Sequence, residues 1–278
     1  MTFGRSLTTA IETRGRLCVG IDPHPGLLHE WGLPDTVRGL ERFAMTAVEA
    51  FAGVSAVVKP QSAFFERHGS HGIAVLERVI AACRGLGALV LLDVKRGDIG
   101  STVQAYADAY LDPGSPLAAD AVTASPFLGI GSLDPLVETA LAHDAGVFLL
   151  ALTSNPEGPQ VQHARTADGR SVAAEVLRAV AARNVDADGL GSVGAVVGAT
   201  VDCPPDVTAE TLDVSGPLLV PGIGAQGGTV ADVRRIFGRS VRNVLPSSSR
   251  EVLGAGPDPL ALRDAALRTA AGFTGLDR

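Results

Sequence analysis

The sequence predicts an α/β protein, a single closed (β/α)8 barrel of the TIM type running over residues 1–278. Three observations carry that expectation. Eight short apolar runs alternate with stretches whose apolar residues recur at helical spacing. Neither a composition shift nor a linker divides them. The chain length of 278 residues is close to the ~250 typical of such a barrel. Hydrophobic residues make up 46% of the chain and aromatics only 4%, so the core has to be packed from small and branched aliphatics. A doubly wound open sheet is the alternative, but the Gly-x-Gly-x-x-Gly turn expected after its first strand is missing.

In chain order, residues 17–22 form the first apolar run, which ends on Asp22 and is stopped by Pro23-His24-Pro25-Gly26. Leu40, Phe43, Ala44, Ala47, Val48 and Phe51 then trace one buried face of a helix over 36–52. The unit repeats. Residues 54–59 are the second strand, ending on Lys59, and Ile73, Leu76, Ile80 and Cys83 mark its helix; residues 88–93 are the third strand, with a helix over 101–111 stopped by Asp112-Pro113-Gly114. Residues 121–125 and 146–152 give strands four and five, the first followed by a helix near 133–143. A polar loop from Thr153 to about Arg170 follows, long enough to be a lid, a binding loop or a plain insertion. After the helix of Val172, Val176, Leu177 and Val180 come strands at 193–199, 217–220 and 241–245, each trailed by helical sequence or a short turn-rich connection, and a last helix over 259–271.

Composition narrows the function. A net charge of −7 argues against nucleic acid as a partner, since phosphate backbones need a basic face. Cys18, Cys83 and Cys203 are odd in number and lack a Cys-x-x-Cys pair, which points to buried thiols in a reducing cytoplasm and not to disulfides or zinc. The first fifteen residues have no apolar segment of signal-peptide length. The longest uncharged run, 214–231, is too rich in glycine and proline for a membrane helix. A cytoplasmic protein with no membrane association is the expectation.

The stretch Asp93-Val94-Lys95-Arg96-Gly97-Asp98 joins an apolar strand to a cluster of opposite charges. Side chains alternate along a strand, so Asp93 and Lys95 share a face. If that face is the barrel interior, a lysine among carboxylates has been placed where an unpaired ion is costly, which usually serves chemistry. A solvated strand end is the competing reading, and an Arg-Gly-Asp adhesion signal would need a secreted protein. In a barrel the strands' C-terminal ends form the working face; they would gather Asp22, Lys59, Asp93, Lys95, Asp98, Ser154, Gln226 and Arg250. The loops Gly222–Gly228 and Pro246–Arg250, after strands seven and eight, suit a phosphate through backbone N–H groups and a guanidinium. The six histidines form no ligand set, and His68 and His71 are expected in a solvent-facing turn. Nothing requires a metal. Ser154 lacks a Gly-x-Ser-x-Gly elbow and is expected to hydrogen-bond, not to attack.

The segment Asp93-Val-Lys95-Arg-Gly-Asp98-Ile-Gly-Ser-Thr102, with Val19-Gly-Ile-Asp22-Pro23, Val58-Lys59-Pro60, Thr153-Ser154-Asn155-Pro156 and Pro221-Gly-Ile-Gly-Ala-Gln-Gly-Gly228, resembles the orotidine 5'-phosphate decarboxylase family, in its longer bacterial (type 2) branch. The resemblance spans nearly the whole chain. It implies a barrel enzyme that converts orotidine monophosphate (OMP) to uridine monophosphate (UMP) and carbon dioxide in de novo pyrimidine biosynthesis, without metal or organic cofactor. It further implies Lys95 as proton donor, Asp93 and Asp98 flanking it, and Lys59 completing an alternating charge array. Asp22 would bind the ribose, Ser154 the pyrimidine, and Gln226, Gly227 and Arg250 the phosphate end. Asp98 and Thr102 would enter a neighbouring subunit's site, which implies a homodimer with shared active sites. Short members carry Gly-Arg-Ser after strand eight where Ser247-Ser-Ser-Arg250 stands here. Two other functions fit parts of the pattern: a magnesium-dependent sugar-phosphate decarboxylase or aldolase sharing Asp-x-Lys-x-x-Asp, and a non-catalytic phosphate-ligand sensor on the same scaffold.

Overall fold

The computed structural model describes residues 1–223 and 227–277. Its first half runs α1 (Phe3–Arg14), β1 (Cys18–Ile21), α2 (Pro25–Glu30), α3 (Val37–Phe51), β2 (Val57–Pro60), α4 (Ala63–Glu66), α5 (Gly69–Gly85), β3 (Leu89–Arg96), α6 (Gly100–Leu111) and β4 (Ala121–Ala124). The second half runs α7 (Asp134–Ala142), β5 (Gly146–Leu152), α8 (Pro159–Gln162), α9 (Val172–Arg183), β6 (Val193–Val197), β7 (Leu218–Pro221), α10 (Val230–Phe237), β8 (Val244–Ser248), α11 (Arg250–Leu253) and α12 (Pro259–Gly272). The eight strands pair in sequence order and close, β8 returning to β1 through Ser247 beside Cys18 and Ser248 beside Val19. This is the expected parallel barrel.

Strand alternation divides the apolar residues into two cores. Val19, Val58, Val90, Leu92, Val122, Val147, Leu149 and Val220 point outward and pack under the helices, where Leu40, Phe43, Leu76, Leu177 and Leu262 complete the layer. Cys18, Val57, Leu91, Ala121, Phe148, Val196, Leu219 and Leu245 point inward and fill the barrel. The N-terminal helix α1, which the sequence analysis does not anticipate, closes the floor. Phe3 and Leu7 join the interior cluster, and the Phe3 ring meets Phe148 edge-on at 6.0 Å between centroids. Gly146 makes this approach feasible, because a Cβ there would lie 2.4 Å from the Phe3 ring.

Several boundaries differ from expectation. The strand expected over 241–245 begins at Val244, because residues Gly238–Asn243 form a 3-10 turn. Arg16 donates to the carbonyls of Val241, Arg242 and Val244 there. The strand expected to end at Asp93 continues to Arg96. The connection from β6 to β7, over 198–217, contains no helix and is not short. The loop after β5 has structure of its own, the turn of α8 and a bridge between Arg165 and Ser171. His68 is not solvent-facing: its side chain is 12% exposed and sits 3.7 Å from Asp35. Burial, opposed only in part by Asp35, holds its pKa below the ordinary imidazole value. Among the described residues no helix is long and apolar enough to cross a membrane.

Candidate active site

The inward positions change character toward the C-terminal ends of the strands. On β3 the interior face reads Leu91, Asp93, Lys95; Leu91 belongs to the packed interior, while Asp93 and Lys95 line a cavity of about 240 Å³ at the barrel mouth. Lys59 at the end of β2, Thr123 on β4 and Asp22 just past β1 line the same cavity. These groups form one bonded array. The Asp93 carboxylate takes the Lys59 ammonium at 3.0 Å on Oδ2 and the Lys95 ammonium at 2.6 Å on Oδ1. The Thr123 hydroxyl donates to Asp93 Oδ1 at 2.8 Å.

Burial decides the electrostatics. The Lys59 and Asp93 side chains are 7% and 8% exposed, while Lys95 is 44% exposed and reaches the cavity's open side. Burial by itself would push the Asp93 carboxyl up, but Lys59, Lys95 and the Thr123 hydroxyl outweigh it and hold the group below the ordinary carboxylate range. For Lys59, burial would lower the pKa, and the attraction of Asp93 and Asp22 raises it instead. The buried pair is therefore ionised, with one carboxylate shared between two ammonium groups.

The strand carrying the array is irregular. Between Leu92, paired with Val122, and Arg96, paired with Ala124, the register shifts, so three residues of β3 stand against Thr123 alone. Lys95 sits at the crest with φ +46°. Beyond it, Arg96 pairs with Glu66, which also accepts from Ser62, and the Arg96 guanidinium lies 5.6 Å over the Tyr106 ring.

Opposite β2 and β3 across the mouth, β7 and β8 contribute Gly222, Ile223, Ser247, Ser248, Ser249 and Arg250. Gly20 on β1 is what lets the β8 loop come so close: a Cβ there would fall 1.8 Å from the Ser249 hydroxyl. The buried Oδ1 of Asp22 has no hydrogen-bond partner among the described residues, which leaves an unsatisfied acceptor on a residue of the cavity lining.

The candidates from sequence separate into three groups. Asp22, Lys59, Asp93, Lys95 and Arg250 line the cavity. Asp98, Thr102, Ser154 and Gly227 do not. Within one chain the Asp98 carboxylate accepts from the Ile99 N–H at 2.8 Å and does not flank Lys95. Thr102 lies on α6 and is exposed, as are Ser154 and Gly227. Gln226 lies outside the described residues. Sequence reasoning missed His24, Gln61, Thr123 and Thr153, which also line the cavity. Thr123 and Gln61 were findable by extending the inward alternation of β4 and β2 by one step, whereas His24 lies in a turn and carries no such signal.

An ionised Lys–Asp–Lys array in the C-terminal mouth of a parallel eight-stranded barrel places the chain among the (β/α)8-barrel enzymes. Comparison with known proteins narrows this to one family: the chain belongs to the Orotidine 5'-phosphate decarboxylase / HUMPS family, matched over residues 15–265. It is 64% identical over 270 residues to the orotidine 5'-phosphate decarboxylase of Nocardioides sp. (strain ATCC BAA-499 / JS614), covering 96% of this chain and 97% of the relative. It is 62% identical to that of Salinispora tropica, covering 97% and 96%. A Streptomyces avermitilis protein to which the same activity is ascribed has a crystal structure that superposes with a TM-score of 0.95 at 57% identity, covering 99% of this chain and 95% of that one.

Proposed function

We propose that this protein, acting as one barrel domain over residues 1–278, decarboxylates OMP to UMP and carbon dioxide in de novo pyrimidine biosynthesis, with no metal or organic cofactor. The observation that carries the reading is the Lys59–Asp93–Lys95 array in the barrel mouth of a chain from this family. Breaking the bond between C6 and the carboxylate leaves an electron pair on C6 that the pyrimidine ring delocalises poorly. An ammonium already in place stabilises that pair as it develops and then transfers its proton to it. Lys95 is the donor, because its side chain is 44% exposed while that of Lys59, on the same cavity, is only 7% exposed. Asp93, bonded to both, keeps the Lys95 side chain aimed.

Substrate recognition follows from the rest of the lining. The unpartnered Asp22 oxygen accepts a ribose hydroxyl. Arg250, with Gln226 and Gly227, holds the phosphate on the far side of the mouth, remote from the reacting carbon, where its binding energy orders the site. Ser154 reaches the pyrimidine when the β5 loop closes. Asp98 and Thr102 act in the site of a second copy, in a homodimer; the exposed Ile99 between them, with the exposed Phe127 and Leu128 of the loop after β4, supplies apolar surface for that contact. The protein works in the cytoplasm, with no nucleic-acid or membrane partner.

The test follows the ultraviolet absorbance of OMP with metal-stripped protein in excess chelator. Rapid spectral change that Lys95→Ala abolishes is the expected result. No change with the unsubstituted protein, together with magnesium-dependent turnover of a sugar phosphate, would transfer the site to the metal-dependent reaction.

A further inference from the structure

A lysine that delivers a proton has to be held close to its target, yet its side chain is long and flexible. The end of β3 makes the task harder. Lys95 has φ +46°, a left-handed conformation that non-glycine residues adopt at a cost, and it stands in the bulge where the β3–β4 ladder is interrupted between Leu92 and Arg96. A bulge leaves a backbone amide without its ladder acceptor and re-aims the side chains next to it. Such a feature persists only if something else determines it.

Thr123 is the residue placed to do so. It is the single β4 residue facing the bulge, its side chain is directed into the barrel mouth, and it is 1% exposed. Its Oγ1 accepts the backbone N–H of Lys95 at 3.0 Å, replacing the missing ladder partner. The same hydroxyl spends its one proton on Asp93 Oδ1 at 2.8 Å, the oxygen that takes the Lys95 ammonium at 2.6 Å. The hydroxyl's donor and acceptor roles are thus both set. The result is a closed loop of bonds: Thr123 to the Lys95 backbone, the Lys95 ammonium to Asp93, and Asp93 back to Thr123.

We propose that Thr123 is a positioning residue for the decarboxylation, its hydroxyl fixing both ends of Lys95 by closing the β3 bulge and orienting the Asp93 carboxylate that holds the ammonium. This rests on Lys95 as the proton donor. A threonine serving only as barrel filling would be replaceable by any side chain of its shape. A threonine serving through its hydroxyl would not.

The experiment compares Thr123→Val, which keeps the shape and removes the hydroxyl, with Thr123→Ser, which keeps the hydroxyl and removes a methyl; Lys95→Ala is run alongside. Steady-state turnover of OMP is measured on each folded protein. Thr123→Val is expected to lower kcat about tenfold or more with KM nearly unchanged, as for an interaction that matters in the transition state, and Thr123→Ser to recover most of that loss. Should Thr123→Val not fold, Thr123→Ala against Thr123→Ser reads the same contrast. A kcat near normal in Thr123→Val, an equal loss in Thr123→Ser, or a rise in KM alone would overturn the proposal. Near-normal turnover in Lys95→Ala would instead overturn the assignment of the proton donor, so the two failures are told apart.

Discussion

The floor and the mouth of the barrel are built from the same strands, one or two alternation steps apart, and they are opposites in chemistry. At the floor, Phe3, Leu7, Phe148 and Leu91 pack with no charge among them. At the mouth, Asp93 is the next inward residue after Leu91 and is clasped by two ammonium groups. The floor removes apolar surface from water, which stabilises the fold. The mouth takes ions out of water, which by itself does not: a buried ion pair often stabilises no better than well-packed apolar residues would. The pairing of the two ends shows where each task resides, with stability below and a preorganised field above.

Substitutions can break that division or sharpen it. The largest combined effect is expected from Asp93→Asn, which leaves Lys59 buried without its carboxylate. Stability should fall by ~3–5 kcal/mol, as when one partner of a buried pair is lost, and turnover by about a hundredfold or more; chemical denaturation and an OMP assay on the same sample read both. Lys95→Ala should separate the two. Its side chain is half exposed, so the denaturation midpoint should barely move while turnover falls by about a thousandfold. Phe148→Ala should give the converse, a loss of ~3–5 kcal/mol for a large aromatic removed from a packed core, with kcat retained by the fraction that stays folded.

The smallest effect is on the pH dependence of stability. Asp93 has a folded pKa below its unfolded value, so its contribution is complete above about pH 4 and is lost as pH falls further toward the folded value. Lys59 has a folded pKa above its unfolded value, so its contribution is complete below about pH 10 and is lost as pH rises beyond that. Urea unfolding from neutral pH downward should show an acid limb that is shallower in Asp93→Asn.

Much of the fold could be read from the chain because alternation and helical spacing are local signals. All eight strands overlap apolar runs of the sequence, β8 only through Val244 and Leu245, and Lys59 and Asp93 end up on the inner face for the reason that alternation dictates, while Lys95 reaches it from a bulge. What was not legible depends on distant contacts. The floor helix carries Phe3, Leu7, Ala10 and Ile11 at helical spacing, but only the closed barrel shows that this face seals the interior. The bulge opposite Thr123 is a register event between two strands, and no property of residues 92–96 alone announces it. Asp98, Thr102 and Ser154 were read from a motif alone, and within one chain none of them lines the cavity.

The central claim is that an ammonium at position 95, held by Asp93, performs the chemistry. It can be tested by removing that ammonium and then rebuilding it. Lys95→Cys, treated with bromoethylamine, regains an ammonium on a side chain of nearly lysine length. The native thiols compete weakly, since burial pushes Cys18 and Cys83 up to about 12 and raises Cys203, and a thiol reacts through its thiolate; treating the unsubstituted protein controls for them. The account predicts that Lys95→Cys is inactive on OMP and that alkylation restores a large part of the turnover. Activity in Lys95→Cys before alkylation, or none after complete alkylation of a folded protein, would contradict it.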